Sequence, residues 1–506
     1  MDRRQFIKAA GATVAAGTAL ASVAIAEEAA PQEYEIAETL QADMVVVGGG
    51  GGGIGAAAQA VENGLNVIIL EKTGFIGGTC SRAHGIFAVE SSIQKEAGVT
   101  TTREELFTKC MDYHHWLADT DVTMTLFKKS AETIDWMIDK GVTFSGVERS
   151  GDSERTWHNP VSSVGDALAV LEAYAEENGA IFLTETPAVD LIMEDGKVAA
   201  VIAHRLEDDA YIKVEAPVCL LASGGFICSR EMVEKYTPFK FDNFFNLGSV
   251  GRDGDGINMG LKAGAQLHGM SALMLAGGTI ESVAMSDQIR MGFGRSPILW
   301  LNEKGKRFAD ETTYGNFTFS GHIMCLQDQV YSLMDDKALQ YFIENGAAFN
   351  HGKFENARQE LAEFANTPEH PDVFQADTLE ELAELMGLDP ATVVESITAY
   401  NTYCDEGLDK DYGKTNWLWK LETPPYYAAR LKSAVYTSVG GLKINGKAEV
   451  LDAEKNPIPG LYAAGGDAGG LYGDSYDVII CAGSQVGATV NFGRIAADQA
   501  VIYLGK

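Results

Sequence analysis

The chain has 506 residues, 46% of them hydrophobic, more than one core usually organises, so at least two domains are expected. Its formal charge of −32 argues against nucleic acid or an anionic membrane surface as partner. The 7 cysteines are scattered, with no spacing for covalent haem or an iron–sulfur cluster, and no metal site is expected.

Residues 1–26 have the layout of a twin-arginine signal peptide: Arg3-Arg4-Gln5-Phe6, an uncharged alanine-rich stretch, then Ala24-Ile25-Ala26 as cleavage site. The rival is a retained anchor, but the stretch is weakly hydrophobic and ends in the cleavage site. The expectation is export to the periplasm or the outer face of the cytoplasmic membrane. Residues 27–40 then form a loose acidic leader on the mature chain. No other apolar run is long enough to span a bilayer.

The apolar run Met44-Val45-Val46-Val47 meets six consecutive glycines, residues 48–53, and then the small residues Ile54-Gly55-Ala56. This reads as strand, turn and helix. Gly48-x-Gly50-x-x-Gly53 is the dinucleotide spacing: one glycine for the turn, one for pyrophosphate approach, one for helix–strand contact. A second apolar run, residues 67–70, ends in Glu71, where an acid meets a ribose hydroxyl. Helical periodicity follows over 102–140, short strands over 181–203 around a turn at 194–197, and a buried strand at 218–221 ending in Gly224-Gly225. A second glycine-rich acidic loop at 251–256 opens a helix through Ala263. Residues 277–425 carry charged amphipathic helices near 337–345, 357–364, 379–386 and 391–405, with few β runs. Glycine-rich sequence returns at 439–441, and a last helix runs over 485–500.

These stretches resemble the fumarate reductase / succinate dehydrogenase flavoprotein family, particularly its soluble exported members. The matching segments are 45–72, 77–88, 222–232, 253–259, 302–311 and 458–494, in the family's order. The resemblance implies an α/β fold: a Rossmann-like FAD-binding domain (41–276 and 426–506) interrupted by an α+β, mostly helical capping domain (277–425). It implies FAD as cofactor and a place in anaerobic respiration. The implied cofactor residues are Gly48, Gly50, Gly53, Glu71, Lys72, Gly78, Thr79, Ser81, Gly85, Gly224 and Asp255, then Asp467 on the ribityl chain, with Ser484 and Val486 at a helix N-terminus facing the flavin. For Ser484 an ordinary N-cap is an equal reading.

The departures from the family are equally informative. Where it places a proton-donating arginine this chain has Thr312-Thr313-Tyr314-Gly315; where it places a carboxylate-binding arginine, Gly473-Asp474-Ser475-Tyr476-Asp477. A histidine position before Val439 holds Tyr436-Thr437-Ser438, and no His-Pro pair stands near residues 270–274. Fumarate and succinate are therefore not expected as substrates. Tyr436 and Tyr476 are candidate donors to a neutral carbonyl, Tyr314 the candidate proton donor, and Arg295 a candidate relay group; His84 is a minor candidate. The expected activity is reduction of an activated C=C bond in an enoate, enone or aromatic acrylate, taking hydride from flavin N5. The small organic acceptor would receive electrons from a separate donor protein such as a membrane-associated cytochrome. The alternatives are a dehydrogenase running in the ketosteroid-desaturase direction, or a non-catalytic flavin carrier.

Overall fold

The structure, a computed structural model, describes residues 34–150, 153–346 and 354–506. The expected signal peptide lies outside these residues, as does the first half of the expected leader. The second half is not loose. Residues 37–41 lie in the strand Ile36–Gln41, whose neighbour in the sheet is Ala210–Glu215. Gln41 Nε2 donates to Glu215 Oε2 at 2.8 Å.

The central sheet has six strands in the order Glu449–Leu451, Pro457–Ala463, Val218–Leu221, Met44–Val47, Val67–Leu70 and Ile181–Leu183. All pairs are parallel except the first. The three strands Val218–Leu221, Met44–Val47 and Val67–Leu70 are buried at every position, as a sheet covered on both faces requires. The helices Gly51–Glu62 and Ser484–Leu504 pack together, cross-linked by Arg494 Nε donating to Gln59 Oε1 at 2.9 Å. The strands Ala188–Glu194 and Lys197–Arg205 form the expected hairpin.

The inserted region keeps its helices close to where periodicity puts them: Asp336–Asn345, Ala357–Phe364, Leu379–Met386 and Pro390–Glu406. Local chemistry fixes their ends. Pro390–Glu406 begins with an Asp389 cap and a proline in its first turn, and stops at left-handed Gly407. These helices pack on a sheet that the sequence does not announce. The long strand Tyr426–Ser438 pairs with Val330–Asp335, Val373–Ala376, Leu273–Thr279 and Phe244–Asn246, while Leu299–Asn302 extends the sheet. The sheet of the inserted region thus runs past the boundary expected at 425 and starts before 277. Two apolar cores lie here, one around Phe293, Trp300 and Phe342, the other around Leu333, Ile397 and Tyr400. No helix among the described residues is long and apolar enough to cross a membrane.

Candidate active site

The strand Met44–Val47 runs into Gly48, with φ of +110° and the Ala222 carbonyl occupying the space of a side chain. A Cβ at Gly53 would collide with the Gly48 carbonyl, so this glycine seats helix on strand and does not face the cavity. Gly50 differs. Nothing lies within 4 Å of its Cβ position, and it borders a cavity of about 860 Å³. It caps Gly51–Glu62 without any side-chain bond, so the first N–H groups of that helix are open to an anion.

A second helix N-terminus meets the same cavity. Gly483 caps Ser484–Leu504, again without a side-chain bond, and Gly483, Gln485 and Val486 line the wall. Both macrodipoles favour negative charge there. Glu71 closes the turn: its Oε2 accepts from Gly49 N–H at 2.8 Å, and its Oε1 accepts from Thr73 N–H and Oγ1 at 2.8 and 2.7 Å. Lys72 pairs with Asp253 at 2.6 Å and Asp255 at 2.9 Å. Gly78, Thr79, Gly85 and Gly224 also line the cavity, with Thr79 Oγ1 accepting from Ser249 N–H at 3.0 Å.

Three expected contacts are corrected. Ser81 Oγ donates to the Gly78 carbonyl at 2.7 Å and lies off the wall. Ser484 is neither the helix cap nor on the wall; its hydroxyl pairs with Tyr472 Oη at 2.9 Å. Asp467 is fully buried behind the cavity, where it accepts from Ser223 N–H and Gly225 N–H at 2.5 and 2.9 Å and braces the loop carrying Gly224. Burial pushes its carboxyl up to about 6 against those hydrogen bonds.

The remaining wall comes from the inserted region and the loop near 476. Arg295 ends the helix Gln288–Arg295, Met274 and Ala276 come from the strand Leu273–Thr279, and Tyr436, Tyr476, Phe317 and Val478 complete it. Burial works against the Arg295 cation, but the nearby Tyr314 and Tyr436 phenols and a side-chain hydrogen bond to Tyr436 raise its pKa. Burial raises the Tyr476 phenol well above its ordinary value, with a side-chain bond to Ser484 opposing. Tyr314 is not on the wall. It is buried next to Arg295, with its ring against Gly277. Tyr314 therefore stands behind Arg295 in this structure and not at the cavity surface, where a direct proton donor is expected.

His84 does line the cavity, 4.7 Å from the ring of Trp157 and 3.7 Å from Glu148. Sequence reasoning missed Trp157, Phe317 and Arg252. Arg252 lines the cavity too, but its guanidinium is taken up by the Ser249 and Tyr436 carbonyls and by Asn246 Oδ1, so it ties its own loop to the strand Tyr426–Ser438. Its place in the motif 251–256 was a usable signal; Trp157 and Phe317 had none.

The glycine cradle, the two uncapped helix N-termini and the acid at the end of the second strand fit FAD. Comparison with known proteins agrees. The family model described as FAD binding domain matches residues 43–477. Vinyl phenol reductase of Lactiplantibacillus plantarum is 33% identical over 475 residues, covering 90% of this chain and 96% of that protein. Fumarate reductase (cytochrome) of Shewanella frigidimarina is 28% identical, covering 92% of this chain and 78% of that protein. The open conformation of a flavocytochrome c3 fumarate reductase superposes with a TM-score of 0.73 at 25% identity, over 99% of this chain and 81% of that one. The chain belongs to the FAD-binding family of the fumarate reductase flavoproteins, and is an FAD-dependent oxidoreductase that reduces activated carbon–carbon double bonds.

Proposed function

We propose that the substrate is an uncharged alkene conjugated to an aromatic ring, not a dicarboxylate. The observation that carries this is the wall made by Met274, Ala276, Phe317, Tyr436, Tyr476 and Val478. Of the guanidinium groups on the cavity wall, Arg295 is bonded to Tyr436, Arg252 has three acceptors of its own, and Arg82 donates to the Leu247 carbonyl at 3.0 Å, while Arg149 stands on the wall with His84 and Trp157. The two guanidinium groups nearest that aromatic wall, Arg295 and Arg252, are therefore already engaged, unlike the free pair a dicarboxylate clamp needs. The 33% identical relative, named for vinyl phenol, supports the same class.

Bound FAD, once reduced by two electrons from the donor, would supply the hydride. The chain supplies the rest. Tyr476, kept protonated by burial, donates a hydrogen bond to a neutral oxygen or lies against the aryl ring. Tyr436 holds a proton at its hydroxyl, and the Arg295 guanidinium bonded to that hydroxyl stabilises the phenolate left when the proton moves to the alkene carbon. Tyr314 sits behind as a positioning residue for Arg295. Electrons come from a separate donor, and a membrane-associated cytochrome fits the export motif of residues 1–26.

Direction is tested with two electron partners. Reduced viologen should drive turnover of 4-vinylphenol, and an oxidising quinone with 4-ethylphenol should give none. Turnover only with the quinone would make the enzyme a dehydrogenase. Turnover of neither 4-vinylphenol nor other aryl alkenes, with fumarate accepted, would reject the substrate class.

A further inference from the structure

Behind the cavity wall, side chains of metal-ligand type gather where the helix Arg103–Tyr113 meets the turn following Tyr476. Cys110 lies on that helix and His114 caps its C-terminal end, four residues apart and so on one face. Asp477 and Cys481 stand at the same separation on the facing turn. A ligand atom from each of Cys110, His114 and Asp477 lies within 4.8 Å of the other two, and all three residues are buried. The Cys481 thiol stands beside both Cys110 and Asp477.

Two donors in this cluster are unsatisfied. His114 is 1% exposed, and its Nδ1 has no hydrogen-bond partner. Asp477 is fully buried; its Oδ1 accepts from the Ile479 and Ile480 N–H groups at 3.0 and 2.7 Å. The Cys481 N–H and its weakly donating thiol also face this carboxylate, but Oδ2 has no hydrogen bond of good geometry. Leaving such atoms buried without a partner disfavours the fold. A cation bound through His114 Nδ1 and Asp477 Oδ2 would satisfy both.

We propose that Cys110, His114 and Asp477, with Cys481 as the fourth donor, bind one zinc-class divalent cation. Sulfur, imidazole and carboxylate together suit zinc, whereas calcium and magnesium take oxygen ligands. Ligand atoms around tetrahedral zinc lie about 3.6 Å apart, so the donors need to close in by about 1 Å. Thiol protons leave to solvent as the metal enters. The metal would pin the helix Arg103–Tyr113 to the segment that presents Tyr476 and Val478 to the cavity. Tyr113 already bridges the same parts: its Oη donates to the Tyr476 carbonyl at 3.3 Å and accepts from Asn316 Nδ2 at 2.8 Å. The site is structural and does not touch the substrate. It does not depend on which alkene is reduced.

The test uses the full chain loaded with FAD, given one equivalent of zinc and passed through gel filtration before elemental analysis. About one zinc per chain is expected, falling to under about a tenth in Cys110→Ser and in Asp477→Asn, with flavin absorbance reporting the fold of each variant. Cobalt added to the wild type should produce the visible bands of a tetrahedral thiolate site, at longer wavelength than the flavin, which needs no variant. Zinc absent from the wild type, zinc retained in flavin-loaded Cys110→Ser, or a Cys110–Cys481 disulfide found by mass spectrometry would each overturn the proposal.

Discussion

Gly50 and Gly53 look interchangeable in a run of six glycines, yet their surroundings separate them. A methyl at Gly50 enters the cavity, whereas one at Gly53 enters the Gly48 carbonyl. Gly50→Ala should therefore leave the melting temperature of the FAD-free protein unchanged and weaken FAD binding. Gly53→Ala should destabilise the FAD-free protein itself, by about 1–3 kcal/mol in denaturant titration. Of the tyrosines, Tyr436→Phe should lower kcat by about 10²-fold or more with FAD still bound, because its hydroxyl is the proposed proton source. Tyr314→Phe should cost less and shift the pH profile, since Tyr314 acts through Arg295. The glycines were legible because their spacing encodes backbone geometry. The tyrosines were legible only as gaps in a family pattern. Which of them reaches the cavity is decided by the sheet that folds Tyr436 against Arg295 and leaves Tyr314 behind it.

Elements show the same division. Helices in the inserted region carry caps and periodicity, so sequence placed them within a residue or two. The strands Leu299–Asn302, Val330–Asp335 and Val373–Ala376 are short buried apolar runs, which periodicity cannot distinguish from buried helix. Tyr426–Ser438 alternates poorly because most of its positions are buried on both faces. One buried charge network anchors this region: Glu311 pairs with Arg307 at 3.1 Å and Lys414 at 3.0 Å, and Arg307 with Asp409 at 2.8 Å. Glu311→Gln leaves its cations underpaired and should cost about 3–5 kcal/mol by chemical denaturation. In the FAD-binding part, His158 fixes the strand Trp157–Pro160 through a 2.7 Å bond to Ser91 Oγ. Burial lowers its pKa from 6.5 to about 4. The unfolded chain then binds more protons between those values, so this histidine destabilises the fold as pH falls through that window. His158→Gln should flatten the loss of stability between pH 6.5 and 4 by up to about 3 kcal/mol relative to wild type. Asp467, raised to about 6, opposes it, its destabilising effect growing as pH rises from 3.8 towards 6; the comparison of His158→Gln with wild type removes that common contribution.

At the scale of the molecule, one cavity is walled by segments from residue 47 to residue 489. FAD binding therefore ties the central sheet to the inserted region, and loading at 100 times Kd should stabilise the chain by about 2.7 kcal/mol, read as a higher melting temperature. Sequence made the cofactor and the order of its motifs visible, since each lies in one continuous stretch. The far wall was visible only in part: Arg295 and Tyr436 stood out as replacements in a family pattern, whereas Trp157, Met274 and Phe317 join them only after the chain has folded. The proposed metal cluster was hidden for the same reason: Cys110 and Cys481 are distant in sequence and carry no motif. The central claim is an FAD enzyme whose reacting wall is aromatic and lacks a dicarboxylate clamp. The most direct measurement is stopped-flow reoxidation of the reduced, FAD-loaded protein under anaerobic conditions. Rapid return of the flavin absorbance with 4-vinylphenol and none with fumarate is the predicted result; rapid reoxidation by fumarate with no response to 4-vinylphenol would contradict it.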